Sequence, residues 1–466
     1  MLAIDESLRP EDLLEPIRRM WEVSGEKILS IEATCRNRAG APVFTVRGQY
    51  QAQGWTEWTE GFRFGSALLQ FDATGDEQFL EIGRTATIER MAPHLTHTGV
   101  HDHGFNNVST YGNLRRLMRE DRIPHDWREL ELYELALKVS GAVQATRWTV
   151  TADGDGFIYS FNGPHSLFSD TIRSLRSLVL AHRLGHRLIG ENDAPISLLD
   201  RWAQHLRTTA RYNVYYGEGR DAYDVPGRVA HESLFNPNNG QYRCPSTQQG
   251  FSPFSTWTRG LAWIMLGFAE ELEFLADLNE TDQDQLGDRS ELEAIMLQAA
   301  TATCDFYIRN TPTDGVPYWD TAAPGLVQLG DYLNRPADPF NDFEPVDSSA
   351  AAIAAQGLLR LGRYLSARHP DRGNSETGGR RYWQAGLTVL RTLLGDPYLS
   401  TDSQHQGLLL HAIYHRPRGW DYVPEGSRIP RGEACLWGDY HLREVALYVQ
   451  RVARNEAYYT FYGPVS

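Results

Sequence analysis

Apolar residues return every three or four positions along most of the chain, and period-two alternation is scarce, so the pattern predicts an all-α protein. A first helix is expected over residues 10–23, stopped by Gly25, with a second, shorter apolar stretch at 28–33. Residues 36–54 depart from the helical period, and Val43-Phe44-Thr45-Val46 reads as a short strand or an extended arm. The aromatic and polar run Trp55-Thr56-Glu57-Trp58-Thr59-Glu60-Gly61-Phe62 then leads into a helix carrying Phe64, Leu68 and Phe71. Thr74-Gly75-Asp76 ends that helix and caps the next, which passes through Phe79 to about Met91.

From there a helix, a short turn and a returning helix recur. The pairs are 105–118 with 127–143, 172–184 with 196–212, 257–275 with 292–308, 348–365 with 382–394, and 407–413 with 437–452. A helical hairpin cannot bury its apolar face alone, so such a series stacks. Closing roughly six hairpins into a ring, an (α/α)6 barrel, covers both ends, whereas an open solenoid leaves them bare. The ring is preferred because polar and aromatic clusters lie between helices at one kind of junction, as loops gathered round a single mouth would. The chain 1–466 is expected to be a single barrel domain, with residues 1–54 supplying N-terminal helices and an extended arm, and no internal segment reads as a linker.

The formal charge of −15 argues against nucleic acid and anionic membrane as partners, and an anionic substrate must be met by local arginines. Cys35, Cys244, Cys304 and Cys435 are far apart and form no CxxC pair, which disfavours a disulfide framework and a zinc cluster and suits reduced thiols in the cytoplasm. The first residues, Met1-Leu2-Ala3-Ile4-Asp5-Glu6, lack a basic region and an apolar run, and no stretch is long and apolar enough to cross a bilayer; a soluble cytoplasmic protein is expected.

Candidate chemistry centres on His101-Asp102-His103-Gly104-Phe105, a carboxylate between two imidazoles at a helix entrance. Asp102 either caps that helix through its first-turn amides or belongs to a site. A second acid, Asp170 in Ser169-Asp170-Thr171-Ile172, opens another long helix, and two such carboxylates can converge on one rim. Arg259 and Trp263 are four apart and share a helix face, which suits a sugar acid as well as it suits ordinary packing of guanidinium on indole. His231 lies in a polar loop, as a functional or a solvated imidazole. His101-x-His103 lacks a third ligand at a recognisable spacing, and neither a metal nor an organic cofactor is implied.

The ordered motifs resemble those of glycoside hydrolase family 88, the unsaturated glucuronyl hydrolases, and more distantly the unsaturated rhamnogalacturonyl hydrolases. They are Trp58-Thr59-Glu60-Gly61-Phe62, His101 to Phe105, Asp170-Thr171-Ile172, Gln249-Gly250, and Trp257 to Trp263. Tyr318-Trp319-Asp320, Asp347 to Ala355, and Leu436-Trp437-Gly438-Asp439-Tyr440 complete the set. The resemblance implies the closed barrel and removal of a 4,5-unsaturated uronic acid from the non-reducing end of lyase-generated oligosaccharides. It places the catalytic pair at Asp170 and Asp102 and substrate contacts at His231, Gln249, Arg259 and Trp263, with Trp58 and His101 as further pocket members. Arg173 and Ser174 stand where the family has apolar and Asn side chains, and segments 215–229 and 416–433 are positioned to reshape the mouth.

Hydration of the C4=C5–O5 enol ether needs one acid that holds a proton near neutral pH. Asp170 is expected to be that acid/base, with Asp102 ionised to stabilise developing positive charge. Rival readings are a conventional glycosidase on saturated glucuronosides with the same two acids, a toroid that binds glycans without cleaving them, and a sugar epimerase.

Overall fold

In the computed structural model, the described residues are 1–466 apart from 37–39, 55–56, 280, 283–285, 369–377, 458 and 463–466. Trp55 and Thr56 of the aromatic run thus lie outside the described residues. The main helices alternate between an outer and an inner ring. Glu60–Thr74, the broken helix that starts at His103–Asn107, Thr171–Ser174 with Arg176–Arg183, Thr258–Ala276, Ser348–Arg368 and Leu436–Ala453 form the inner ring. Leu14–Cys35, Glu77–Arg90, Trp127–Thr146, Leu198–Tyr212, Arg289–Asn310 and Gly379–Leu393 pack outside them. Leu436–Ala453 packs against Glu60–Thr74, so the series closes into an (α/α)6 barrel. One contiguous apolar core runs through both rings.

Two helix expectations are corrected. The N-terminal segment is one helix, Leu14–Cys35, running unbroken through Gly25. A Cβ at Gly25 would meet the Phe79 ring at 3.0 Å, so glycine serves close helix packing there and tertiary contact overrides its weak helix propensity. Segment 407–413 is not a helix; it forms isolated bridges, Leu399 to Leu409 and Leu410 to Ala434. The last inner helix therefore takes the N-terminal helix as its outer neighbour, and the two ends of the chain complete the ring together.

Helix boundaries otherwise follow the periodicity closely. Gly75 is left-handed at φ 75° and Asp76 accepts from the Gln78 amide, as the Thr74-Gly75-Asp76 signal implies. Pro42–Val46 pairs antiparallel with Gln49–Ala52. Short strands within the loops were not anticipated: Ser166–Phe168, Glu232–Phe235 and Tyr242–Ser246 form a three-stranded sheet beside the mouth. Strands of three to five residues carry too little alternation to register as a period.

The interior of the ring is ionic at one level. Arg173 is fully buried, with Nε 2.7 Å from Glu270 and Nη2 2.8 Å from Glu444. Burial raises the Glu444 carboxyl, but Arg173, His441 and Arg176 outweigh it and hold the group well below the usual range. Gln356 donates to Glu444, and Arg360 bonds Glu273 at 2.7 Å. Arg173, a departure from the apolar residue of the resemblance, is thus compensated by acids from two other inner helices. Arg173→Met leaves both acids short of a partner and is expected to lower unfolding free energy by about 3–5 kcal/mol, read from denaturant midpoints; a change below about 1 kcal/mol contradicts this role.

Candidate active site

Asp102 and Asp170 meet at one end of the barrel because their helices approach at backbone distance. A Cβ on Gly104 would fall 2.3 Å from the Ser174 carbonyl oxygen, so only glycine admits this contact. The Ser174 hydroxyl accepts from the Gly104 amide at 2.9 Å and donates to the His101 carbonyl at 2.7 Å. Gln144 donates to both that carbonyl and the Ser174 hydroxyl. Ser174, the second departure, therefore ties together the two segments that carry the acids.

Neither carboxylate caps its helix: no side-chain cap bond forms at Asp102 or at Asp170. Both face His101, whose Nε2–H donates to Asp170 Oδ1 at 3.3 Å and lies 3.7 Å from Asp102 Oδ1. All three residues are buried, with Asp102 6% and Asp170 9% exposed. Burial pushes the Asp102 carboxyl up to about 6, aided by the charge of Asp170 and opposed by His101. Asp170 moves the other way: burial raises it, but the charge and hydrogen bond of His101 hold it below the usual carboxylate value. For His101, burial is outweighed by the two acids and the pKa rises. His101 and Asp102 are thus shifted toward holding a proton and Asp170 away from it. This inverts the expected order of the two acids, because the imidazole bonds directly to Asp170.

The acids open onto a recess of about 740 Å³, open solvent at its mouth included. Trp58, His101, Asp102, Asp170, Gln249, Arg259 and Trp263 all line it. Trp58 stacks on Trp437 at 5.1 Å and Trp263 packs on Phe105 at 4.8 Å, giving an aromatic floor. His231 does not line the recess. It is 2% exposed, one layer behind, against Phe168 and Trp257 at 4.6 and 4.5 Å. Its Nδ1 accepts from the Gln248 amide at 3.1 Å and the Gln249 amide at 3.4 Å, so the proton sits on Nε2 and the ring holds the Gln249 loop. Burial pushes the His231 imidazole down to about 3, which keeps it neutral.

Arg259 also differs from expectation. Its Nη1 bonds Asp347 at 3.1 Å and the Ile413 carbonyl, while Nη2 bonds Gln249 Oε1 at 2.8 Å and the Tyr414 carbonyl at 2.7 Å. The guanidinium lies between Trp257 and Trp437, 4.6 and 4.8 Å from the ring centroids. With both terminal nitrogens committed to the protein, Arg259 orients Gln249 and the 413–414 backbone more than it offers a free fork. The recess also takes walls that sequence reading did not pick out: Phe161, Phe168, Tyr414, His415, Arg418 and Trp420. They come from loops and, for Phe168, from the short strand Ser166–Phe168, where neither period nor cap signal marks them. Segment 416–433, flagged as able to reshape the mouth, supplies Arg418 and Trp420.

His103 turns away from the recess, bonded to Ser140 and the His97 carbonyl, so His101-x-His103 does not act as a ligand pair. Among the described residues, His101, Asp102 and Asp170 bring one donor atom each within 4.8 Å of one another. The His101 Nε2–H is directed at a carboxylate oxygen, an arrangement for sharing a proton.

The fold and site define an (α/α)6 barrel with a proton-sharing carboxylate and imidazole trio in an aromatic-lined recess at one mouth. Among proteins of that fold, the chain is similar to unsaturated glucuronyl hydrolases. No family model matches it. It is 26% identical over 445 residues to the unsaturated glucuronyl hydrolase of Bacillus sp. (strain GL1), covering 93% of this chain and 97% of that protein. It is 25% identical over 416 residues to the unsaturated chondroitin disaccharide hydrolase of Streptococcus pyogenes serotype M1, covering 86% and 84%. The crystal structure of the Bacillus sp. GL1 enzyme superposes with a TM-score of 0.67 at 23% identity, covering 93% and 97% of the two chains.

Asp102→Asn removes the largest influence raising the His101 pKa. The imidazole should then titrate at lower pH than in the wild type, followed by NMR of its ring protons. An unchanged midpoint contradicts the shared-proton geometry.

Proposed function

We propose that the protein is a glycoside hydrolase that removes a 4,5-unsaturated uronic acid from the non-reducing end of an oligosaccharide by hydrating its enol ether. The observation that carries this reading is the pair of buried acids joined through one imidazole at the base of a sugar-sized aromatic recess. Two relatives that cover most of the chain, named unsaturated glucuronyl and unsaturated chondroitin disaccharide hydrolases, support the substrate class.

In this reading a substrate carboxylate entering the recess adds negative charge, which raises Asp170 and draws the His101 proton onto it across their hydrogen bond. Asp170 donates that proton to C4. Positive charge forms at C5, is shared by the ring oxygen and faces the Asp102 carboxylate. Water adds at C5 and gives its proton to Asp170, restoring the site. The C5 hemiketal opens, and the hemiacetal left at C1 collapses to release the second saccharide. One water is consumed, and no nucleophile attacks C1. Trp58 and Trp263 support the sugar face, Gln249 presents its amide from the anchor on Arg259, and His231 fixes the Gln249 loop from behind.

No helix among the described residues is long and apolar enough to cross a membrane. A cytoplasmic setting is part of the proposal, supported by free thiols at Cys35, Cys244, Cys304 and Cys435.

The test offers unsaturated and saturated versions of the same disaccharide. Loss of the conjugated ultraviolet absorbance with the first and no turnover of the second is expected; cleavage of the saturated sugar at a comparable rate would favour conventional glycosidase chemistry. Asp170→Asn should remove turnover by roughly 10³-fold or more while substrate binding persists. Because the Asp102 carboxyl lies at about 6, kcat/KM should fall as pH drops through that value and Asp102 loses its charge.

A further inference from the structure

Segment 413–421 forms one wall of the recess and is gripped from two sides. On the barrel side, Arg259 takes the carbonyls of Ile413 and Tyr414 and is itself fixed by Asp347. On the outer side, Asp421 takes the next amides: Tyr414 N–H donates to Oδ1 at 2.5 Å and His415 N–H to Oδ2 at 2.9 Å. Each carboxylate oxygen accepts one amide, so Asp421 closes the base of an arch that begins at Tyr414. Within the arch, the turn Arg416–Arg418 reverses at Gly419, which is left-handed at φ 63°. The arch brings His415, Arg418 and Trp420 to the mouth, with Trp420 packed on Tyr414 at 5.4 Å and His415 at 4.9 Å.

We propose that Asp421 is a positioning residue for the proposed reaction: its carboxylate latches the arch so that Tyr414, His415, Arg418 and Trp420 present a fixed wall to the saccharide beyond the terminal uronic acid. This rests on the functional reading above and extends it to how the leaving saccharide is held. The division of labour follows from the anchoring. Arg259 keeps Ile413 and Gln249 in place whatever happens at Asp421, so unlatching frees the outer arch and leaves the acid trio where it is. A carboxylate is required, since an amide offers one acceptor and sets its NH2 against the second backbone N–H.

The test compares the full-length wild type with Asp421→Asn and Asp421→Ala by amide hydrogen exchange across residues 413–421. Steady-state kinetics are measured on an unsaturated disaccharide and on the methyl glycoside of the same unsaturated uronic acid. Losing one or two amide bonds should speed exchange in the arch by about tenfold or more, with the inner helices unchanged. KM for the disaccharide should rise about tenfold with kcat within about threefold, while the methyl glycoside, which has no second sugar to meet the arch, changes less than about threefold. Unchanged exchange overturns the latch. Faster exchange with KM unchanged, or an equal fall in kcat on both substrates, overturns the positioning role and leaves a merely structural anchor. If the wild type turns over neither substrate, the functional reading fails and the affinity role with it; faster exchange in the variants would then mark Asp421 as a purely structural clamp.

Discussion

The structure depends on one contact, the imidazole of His101 held between two buried carboxylates. Two acids this close in a shielded site cannot both stay ionised without a cation or a proton between them. His101 answers that need and divides the acids into unequal partners: Asp170, hydrogen-bonded to the ring, is held low, while Asp102 is pushed up to about 6. A site organised this way is suited to sharing a proton between the imidazole and the acids, as the proposed reaction requires.

Much of the barrel serves to hold that contact. Gly104 lets the helix start after Asp102 reach the backbone of Ser174, and the Ser174 hydroxyl and Gln144 pin the His101 carbonyl. Arg173, next to Ser174, is neutralised by Glu270 and Glu444 from two other inner helices, so the ring is tied together by charge directly behind the acids. Arg259 works the same way on the far wall, joining Asp347, Gln249 and the 413–414 backbone through a single guanidinium. Both arginines are buried cations whose neighbours would be left uncompensated by their loss, which makes them organisers of geometry more than sources of net stability.

Helical periodicity located nearly every stave of the barrel because each inner helix has a continuous apolar face. It failed where spacing and environment part company. Gly25 reads as a stop, yet it lies inside Leu14–Cys35, where the Phe79 ring fills the room a side chain would need. The apolar run at 407–413 reads as a helix but is spent on isolated bridges, Leu399 to Leu409 and Leu410 to Ala434. The acids were legible because each stands at a helix entrance in a recognisable motif, and Trp58, Gln249 and Trp263 followed from the same ordered set. What the residues could not disclose was who touches whom. His231 lies one layer behind the wall, Arg259 is committed to protein partners, and the order of the two acids depends on a 3.3 Å bond made between two neighbouring helix entrances. Phe161, His415 and Trp420 reach the recess from loops whose course no local pattern announces.

The central claim is that the proton shared by His101 and the two acids goes to C4 of an unsaturated uronic acid. Running the reaction in D2O and locating the label in the released uronic acid tests this directly. One deuterium at C4, added to one face, is expected. A product that carries no deuterium at C4 although the glycosidic bond has been cleaved would contradict it.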